Sequence, residues 1–134
     1  MKNGINENKK QYMSKYKKLL LVEARLRNKK NSLDQRIKTH NTTDTITELE
    51  EDKLELDNRI KRIQIRALKY KKDVLSIINQ ITDTKLNEVL KHRYIDCMEI
   101  VEISRIMKYS TRHTIRLLSN AIDKLEILGG ATDE

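Results

Sequence analysis

Two arginines four residues apart, Arg112 and Arg116, follow Ser110 on a stretch whose apolar residues keep a helical spacing. Arginine offers a rigid fork of donors that matches the guanine edge or a phosphate bidentately. The chemistry these residues suggest is therefore recognition of nucleic acid. Lys108, Ser110, Thr111 and His113 suit phosphate oxygens or neighbouring base edges, and Ile115 lies between the two arginines. Residues for bond-making chemistry lack a usable arrangement. There is no glycine-rich phosphate loop, no Ser-His-Asp arrangement and no carboxylate pair in an apolar setting. Cys97 as a nucleophile needs an organised base and a pocket, which long solvated helices do not readily provide. His40, His92 and His113 have no companion ligands at metal-binding spacing. The chain reads as a non-enzyme with no metal and no cofactor.

The elements that must position those arginines come next. Ser110 stands directly before an apolar-periodic run, as an N-cap does, because its hydroxyl can accept from a free amide of the first turn. The helix is thus expected to start near Thr111, with Thr111, Arg112, Ile115 and Arg116 turned away from the core. Tyr94, Ile100, Ile103, Met107, Leu117, Ala121 and Leu125 occupy the positions a helix-turn-helix buries. A bracing helix over roughly Lys85 to Arg93 carries Leu86, Val89 and Leu90, with Thr82 or Asp83 as its cap. Ile106 and a second stripe, Ile115, Leu118 and Ile122, indicate either a wider core or a docking face for RNA polymerase or a partner regulator. Gly129 and Gly130 are expected to end the last helix, leaving a tail from Ala131.

On these residues, the segment from Arg93 to Leu125 resembles region 4 of the sigma-70 family, and more closely the phage RinA/ArpU-like late-transcription regulators that carry such a region at their C-terminus. The shared pattern is Arg93-Tyr94-Ile95, Glu102-Ile103, an apolar residue at Met107, Tyr109-Ser110, Arg116, and Ala121-Ile122 followed by Leu125. Cys97 and Lys108 stand where the pattern has glycine, and Thr114 replaces a buried aliphatic. The resemblance implies that Thr111, Arg112, Ile115 and Arg116 read promoter DNA, and that the context is activation of phage late genes.

Upstream, the first ten residues are polar, with Gly4 and three asparagines, and are expected to fray. From Gln11 a helix is expected to run to about Lys38, with Tyr12, Tyr16, Leu19, Val22, Leu26, Leu33 and Ile37 on one stripe. Its lysines and arginines make either a solvated face or a backbone-contacting surface. Residues 38–44 are short and polar and read as a break. Thr45 or Thr47, each followed three residues on by glutamate, can form a capping box. The helix beyond has the strongest periodicity in the chain. Ile46, Lys53, Ile60, Ala67, Val74 and Ile81 alternate with Leu49, Leu56, Ile63, Tyr70 and Ile77 as a coiled-coil seam. At ~1.5 Å per residue this helix is about 50 Å long, so its partner must be another long helix. The preceding helix can supply part of that surface by folding back. A further line, Leu54, Ile65, Leu68, Leu75 and Ile78, asks for more cover, so a homo-oligomer, most simply a dimer, is expected. Leu49, Leu56, Ile60, Ile63, Tyr70, Val74 and Ile77 are the candidate oligomerisation residues.

The 134 residues include no Pro, Phe or Trp, which favours uninterrupted helix over sheet. The net charge of +8 is uneven: residues 1–44 hold 12 bases and 4 acids, residues 83–134 hold 8 and 9. No apolar run is long enough to cross a bilayer, the N-terminus is too polar for a signal peptide, and a single cysteine suits a reducing cytoplasm. The expectation is an all-α chain with a long coiled-coil hairpin over 1–81, a small helix-turn-helix domain over 82–128 and a tail over 129–134. Its expected role is that of a sequence-specific regulator binding double-stranded DNA. Alternatives are a phage terminase small subunit recognising packaging-site DNA, and a helical adaptor binding RNA polymerase or another protein.

Overall fold

The computed structural model describes residues 2–39 and 42–126, and these are helical with no strand among them. The elements are α1 (Lys2–Met13), α2 (Lys15–Thr39), α3 (Thr43–Ile78), α4 (Thr84–Tyr94), α5 (Ile100–Met107) and α6 (Thr111–Lys124). None is long and apolar enough to cross a membrane. His40, Gly129, Gly130 and the tail lie outside the described residues. Two compact units are present. One contains residues 18–39 and 42–68, and the other contains residues 2–17 and 69–126, so α2 and α3 each contribute to both.

In the first unit, α2 and α3 run antiparallel. As the α2 partner advances from Glu23 to Lys30 to Asp34, its α3 partner retreats from Gln64 to Asp57 to Lys53. Lys30 meets Asp57 at 2.6 Å and Lys53 meets Asp34 at 2.7 Å. Hydrogen bonding from Lys30 holds the Asp57 carboxyl below its usual range, and Asp34 raises Lys53. Between the helices Leu26, Leu56 and Ile60 are buried, with Val22, Leu33 and Ile63 against them. The heptad positions of α3 in this unit are therefore covered by α2 of the same chain. Leu54, Ile65 and Leu68 are not covered, at 62%, 68% and 63% exposure.

The second unit has the larger core. Met13, Val74, Ile78, Val89, Leu90, Ile103 and Ala121 are wholly buried in one cluster with Leu86, Tyr94, Leu118, Ile122 and Leu125. Residues on both sides of position 81 thus share one core, and the polar first segment belongs to it. The segment expected to fray is helix α1. Asn6 Nδ2 donates to Asp123 Oδ1 at 2.6 Å, and Lys9 Nζ donates to the carbonyls of Ile122 and Asp123 at 3.2 and 3.3 Å. Lys9 thereby caps the C-terminus of α6, where a cation is favoured by the carbonyl charge. The break between α1 and α2 falls at Ser14, inside the single helix expected from Gln11. Tyr12 meets Tyr70 edge-on at 6.4 Å, and Lys15 lies over both rings.

Two boundaries differ from the sequence expectation. The start of α3 is Thr43, and Thr47 donates its hydroxyl to the Thr43 carbonyl, so neither Thr45 nor Thr47 is a cap. At the other end α6 stops at Lys124, before the glycines, because Leu125 turns extended and drives its side chain into the core at 2% exposure.

Candidate nucleic-acid interface

Asp83 opens α4, its carboxylate accepting from the Leu86 amide at 3.0 Å. Asn87 donates to the carbonyls of Ile78 and Ile81, which ties α4 back to the end of α3. After Tyr94 the chain turns sharply, with the Ile95 and Asp96 amides both donating to Lys91 O and that of Met98 donating to His92 O. Cys97 sits in this turn at φ 57°. Arg93 braces it through Met98 O at 2.9 Å and Glu99 at 3.7 Å, and Lys17 reaches Glu99 at 3.5 Å. His92 Nδ1 lies 3.1 Å from the Asp96 carboxylate. Burial pushes the Cys97 thiol up, which favours its protonated, unreactive form.

Helix α5 starts with Glu102 accepting from the Glu99 amide at 3.2 Å and ends at Lys108, which takes φ 60°, ψ 43°. The Lys108 and Tyr109 amides both donate to Ser104 O, closing the corner. Cys97 and Lys108 are the positive-φ non-glycine residues among those described. A left-handed non-glycine residue costs about 1–2 kcal/mol, so each turn must be held by the contacts around it.

Ser110 caps α6: its hydroxyl accepts from His113 N at 3.0 Å, and its carbonyl accepts from both the amide and the hydroxyl of Thr114 at 3.0 Å. Thr114 is wholly buried, and the hydroxyl bond explains how a threonine replaces an aliphatic there. With Thr114 inward, Thr111, Arg112, His113, Ile115 and Arg116 all reach solvent, as does Lys108 at the corner. No partner for Arg112 or Arg116 is found among the described residues. The Tyr109 ring meets the His113 ring edge-on at 4.5 Å, and Lys85 lies 5.8 Å over Tyr109. The corner therefore presents a lysine, an aromatic ring and an imidazole beside the start of α6.

All seven residues expected to be buried at this corner join the core; Tyr94, Ile103, Ala121 and Leu125 are buried, and Ile100, Met107 and Leu117 pack against them. The second stripe divides. Leu118 and Ile122 are core, while Ile115 is 51% exposed, so this stripe offers no continuous docking face. Ile106 is 52% exposed. Helix α6 contacts α1, α4 and α5, and a helix packed on three sides needs a wider apolar arc than one line supplies.

The residues expected to hold copies together are covered within the chain. Leu49, Leu56 and Ile60 are buried and Ile63 half-buried in the α2–α3 unit, while Tyr70, Val74 and Ile77 pack with α1, α4 and their neighbours in the other. The burial of Leu56, Ile60 and Ile63 follows from α2 folding back along α3, and that of Val74 and Ile77 from the core they share with Met13 and α4; Leu54, Ile65 and Leu68 of α3 stay exposed. The sequence did not single out Asn6 and Lys9 as anchors of α6; nothing in a polar, asparagine-rich segment marks its docking site. No group of three or more His, Cys, Asp or Glu side chains that could hold a metal ion occurs among the described residues. Compared with known proteins, the chain finds no match among family models, curated sequences or solved structures.

Proposed function

We propose that this chain is a sequence-specific DNA-binding transcription regulator in which α5 and α6 form a helix-turn-helix and α6 is the recognition helix. The observation that carries the reading is the capped start of α6, which exposes Thr111, Arg112 and Arg116 on its first two turns while Thr114 is locked inward by its bond to Ser110. Such a helix end is the part that enters the major groove in this motif. Positive φ at Cys97 and Lys108 supports the likeness to sigma-70 region 4, since those are its glycine positions. With that likeness comes the proposed setting, activation of phage late genes in the host cytoplasm with RNA polymerase as a partner.

The α2–α3 pair is read as an antiparallel coiled-coil hairpin, supported by its register of ion pairs and its interlocked leucines and isoleucines. Exposed Leu54, Ile65 and Leu68 favour a second copy docking on α3, which gives a dimer with two recognition helices for paired half-sites. Selection of bound sites from a random DNA pool at physiological salt tests the reading and reports half-site spacing. A pool that yields no enriched sequence refutes it. Arg116→Ala should relax preference at one base pair of the selected site and cost about 1–3 kcal/mol there; uniform weakening on every sequence would assign Arg116 to the backbone instead.

A further inference from the structure

The two edges of the α2–α3 pair carry different chemistry. Along one edge charges are neutralised across the helices by Lys30 with Asp57 and Asp34 with Lys53, and Glu23, ion-paired with Arg27, also accepts from Gln64. At 100° per residue, Leu54, Ile65 and Leu68 fall toward this edge. Along the other edge Lys29 and Arg59 line one groove from opposite helices. From Arg59 the same side of α3 continues through Arg62 and Arg66, and from Lys29 the same side of α2 continues back through Arg25 and Lys18. All six are exposed, and among the described residues none has an acidic partner.

Charge is also segregated along the pair. Residues 43–57 hold seven acids and one base, whereas residues 58–68 hold four bases and no acid. A helix face that is merely solvated mixes signs, as the ion-paired edge does. On this edge acids stop at Asp52 and Glu55, which share the groove with Lys29 and Arg59, and as far as residue 68 only cations follow.

We propose that Lys18, Arg25, Lys29, Arg59, Arg62 and Arg66 form a second DNA-contacting surface, one that binds the phosphate backbone without reading sequence. Four of the six are arginines, whose forked donors fit phosphate oxygens. Arg59 to Arg66 spans ~10 Å along α3, a length of duplex that carries about six phosphate charges. The inference rests on the DNA-binding reading for its partner, but it concerns a different surface from α6 and supplies affinity rather than specificity.

The test measures binding of the full chain to a 30-bp duplex lacking the selected site, by fluorescence anisotropy across a salt titration. Arg62→Gln/Arg66→Gln is compared with Lys10→Gln/Arg27→Gln, which removes the same charge from cations already paired with Glu7 and Glu23. Loss of two phosphate contacts should make the slope of log K against log salt shallower by about 2 and weaken binding about tenfold or more at 0.15 M salt. The control pair should leave the slope unchanged. Equal slopes for the two variants overturn the proposal. So does a variant that alters sedimentation but leaves the slope intact, since this would assign the cations to the acidic segment of a second copy. Failure of α6 to read sequence is seen separately, as no preference for the selected site in either variant or parent.

Discussion

Lys108 offers the sharpest test of the corner, because its backbone conformation and its side chain can be separated. The residue is exposed and sits at φ 60°, ψ 43°, so its side chain loses no packing on removal while its backbone is strained. Glycine at this position removes a left-handed penalty of about 1–2 kcal/mol. Against this, glycine makes the unfolded chain more flexible, which costs about 0.4–1 kcal/mol. The difference favours Lys108→Gly by about 0.5–1 kcal/mol, a rise in Tm of roughly 2–5 °C for a chain of this size. The amide that donates to Ser104 O remains in place. Lys108→Ala keeps the Cβ, and so the strain, while removing the charge; it should stay within about 0.5 kcal/mol of the parent. Thermal unfolding followed by circular dichroism at 222 nm, with urea titration alongside, reads both. Equal stability of the glycine and alanine variants, or a loss with glycine, would refute the argument that the corner is held against strain.

Three further outcomes follow from the same contacts. Burial pushes the Tyr94 phenol up to about 12, so the folded chain keeps a proton that the unfolded chain loses near pH 10. This contribution to stability is complete below pH 10 and falls through pH 12, by roughly 2–3 kcal/mol; Tyr94→Phe should flatten that component in urea titrations over the same range. Ser110→Ala leaves the His113 amide without its cap and should cost about 0.5–2 kcal/mol, while Ser110→Gly should cost less. Ile60→Ala opens a cavity between α2 and α3 where Ile60 is 5% exposed and should cost about 2–5 kcal/mol by urea titration.

What was legible in the sequence was local. Ser110 and Asp83 announce their caps because a short oxygen-bearing side chain before an apolar run has one good use. The α3 heptads are legible because their period repeats over many turns. What covers a stripe is not. Periodicity shows that Leu56 and Ile60 must be buried, but whether α2 or another copy buries them depends on whether α2 lies back along α3, which no local pattern states. Phase within α6 was only partly legible: of the expected inner line Leu117, Ala121 and Leu125, the last two are buried, yet Leu118 and Ile122 are buried beside them while Leu117 is only half-buried. A one-residue choice of line turns a helix by 100°, and the decision lies with α1, α4 and α5 rather than with α6. The docking of α1 was invisible, since Asn6 and Lys9 act through carbonyl and carboxylate oxygens that no apolar pattern marks.

That last contact bears on what makes α6 usable. Met13, Val74 and Ile78 are wholly buried in the same cluster as Leu118, Ala121 and Ile122, and all three precede residue 82. At about 1.5–3 kcal/mol for each buried side chain, they contribute roughly 5–9 kcal/mol, comparable to the entire stability of a small domain. A fragment beginning at residue 82 therefore lacks enough core to hold α6 in one rotation. Lys9 and Asn6 add a grip on the helix's C-terminal end, while Ser110 and Thr114 fix its first turn. The direction in which Arg112 and Arg116 point is set by residues from both ends of the chain, so α1 is part of whatever surface α6 presents.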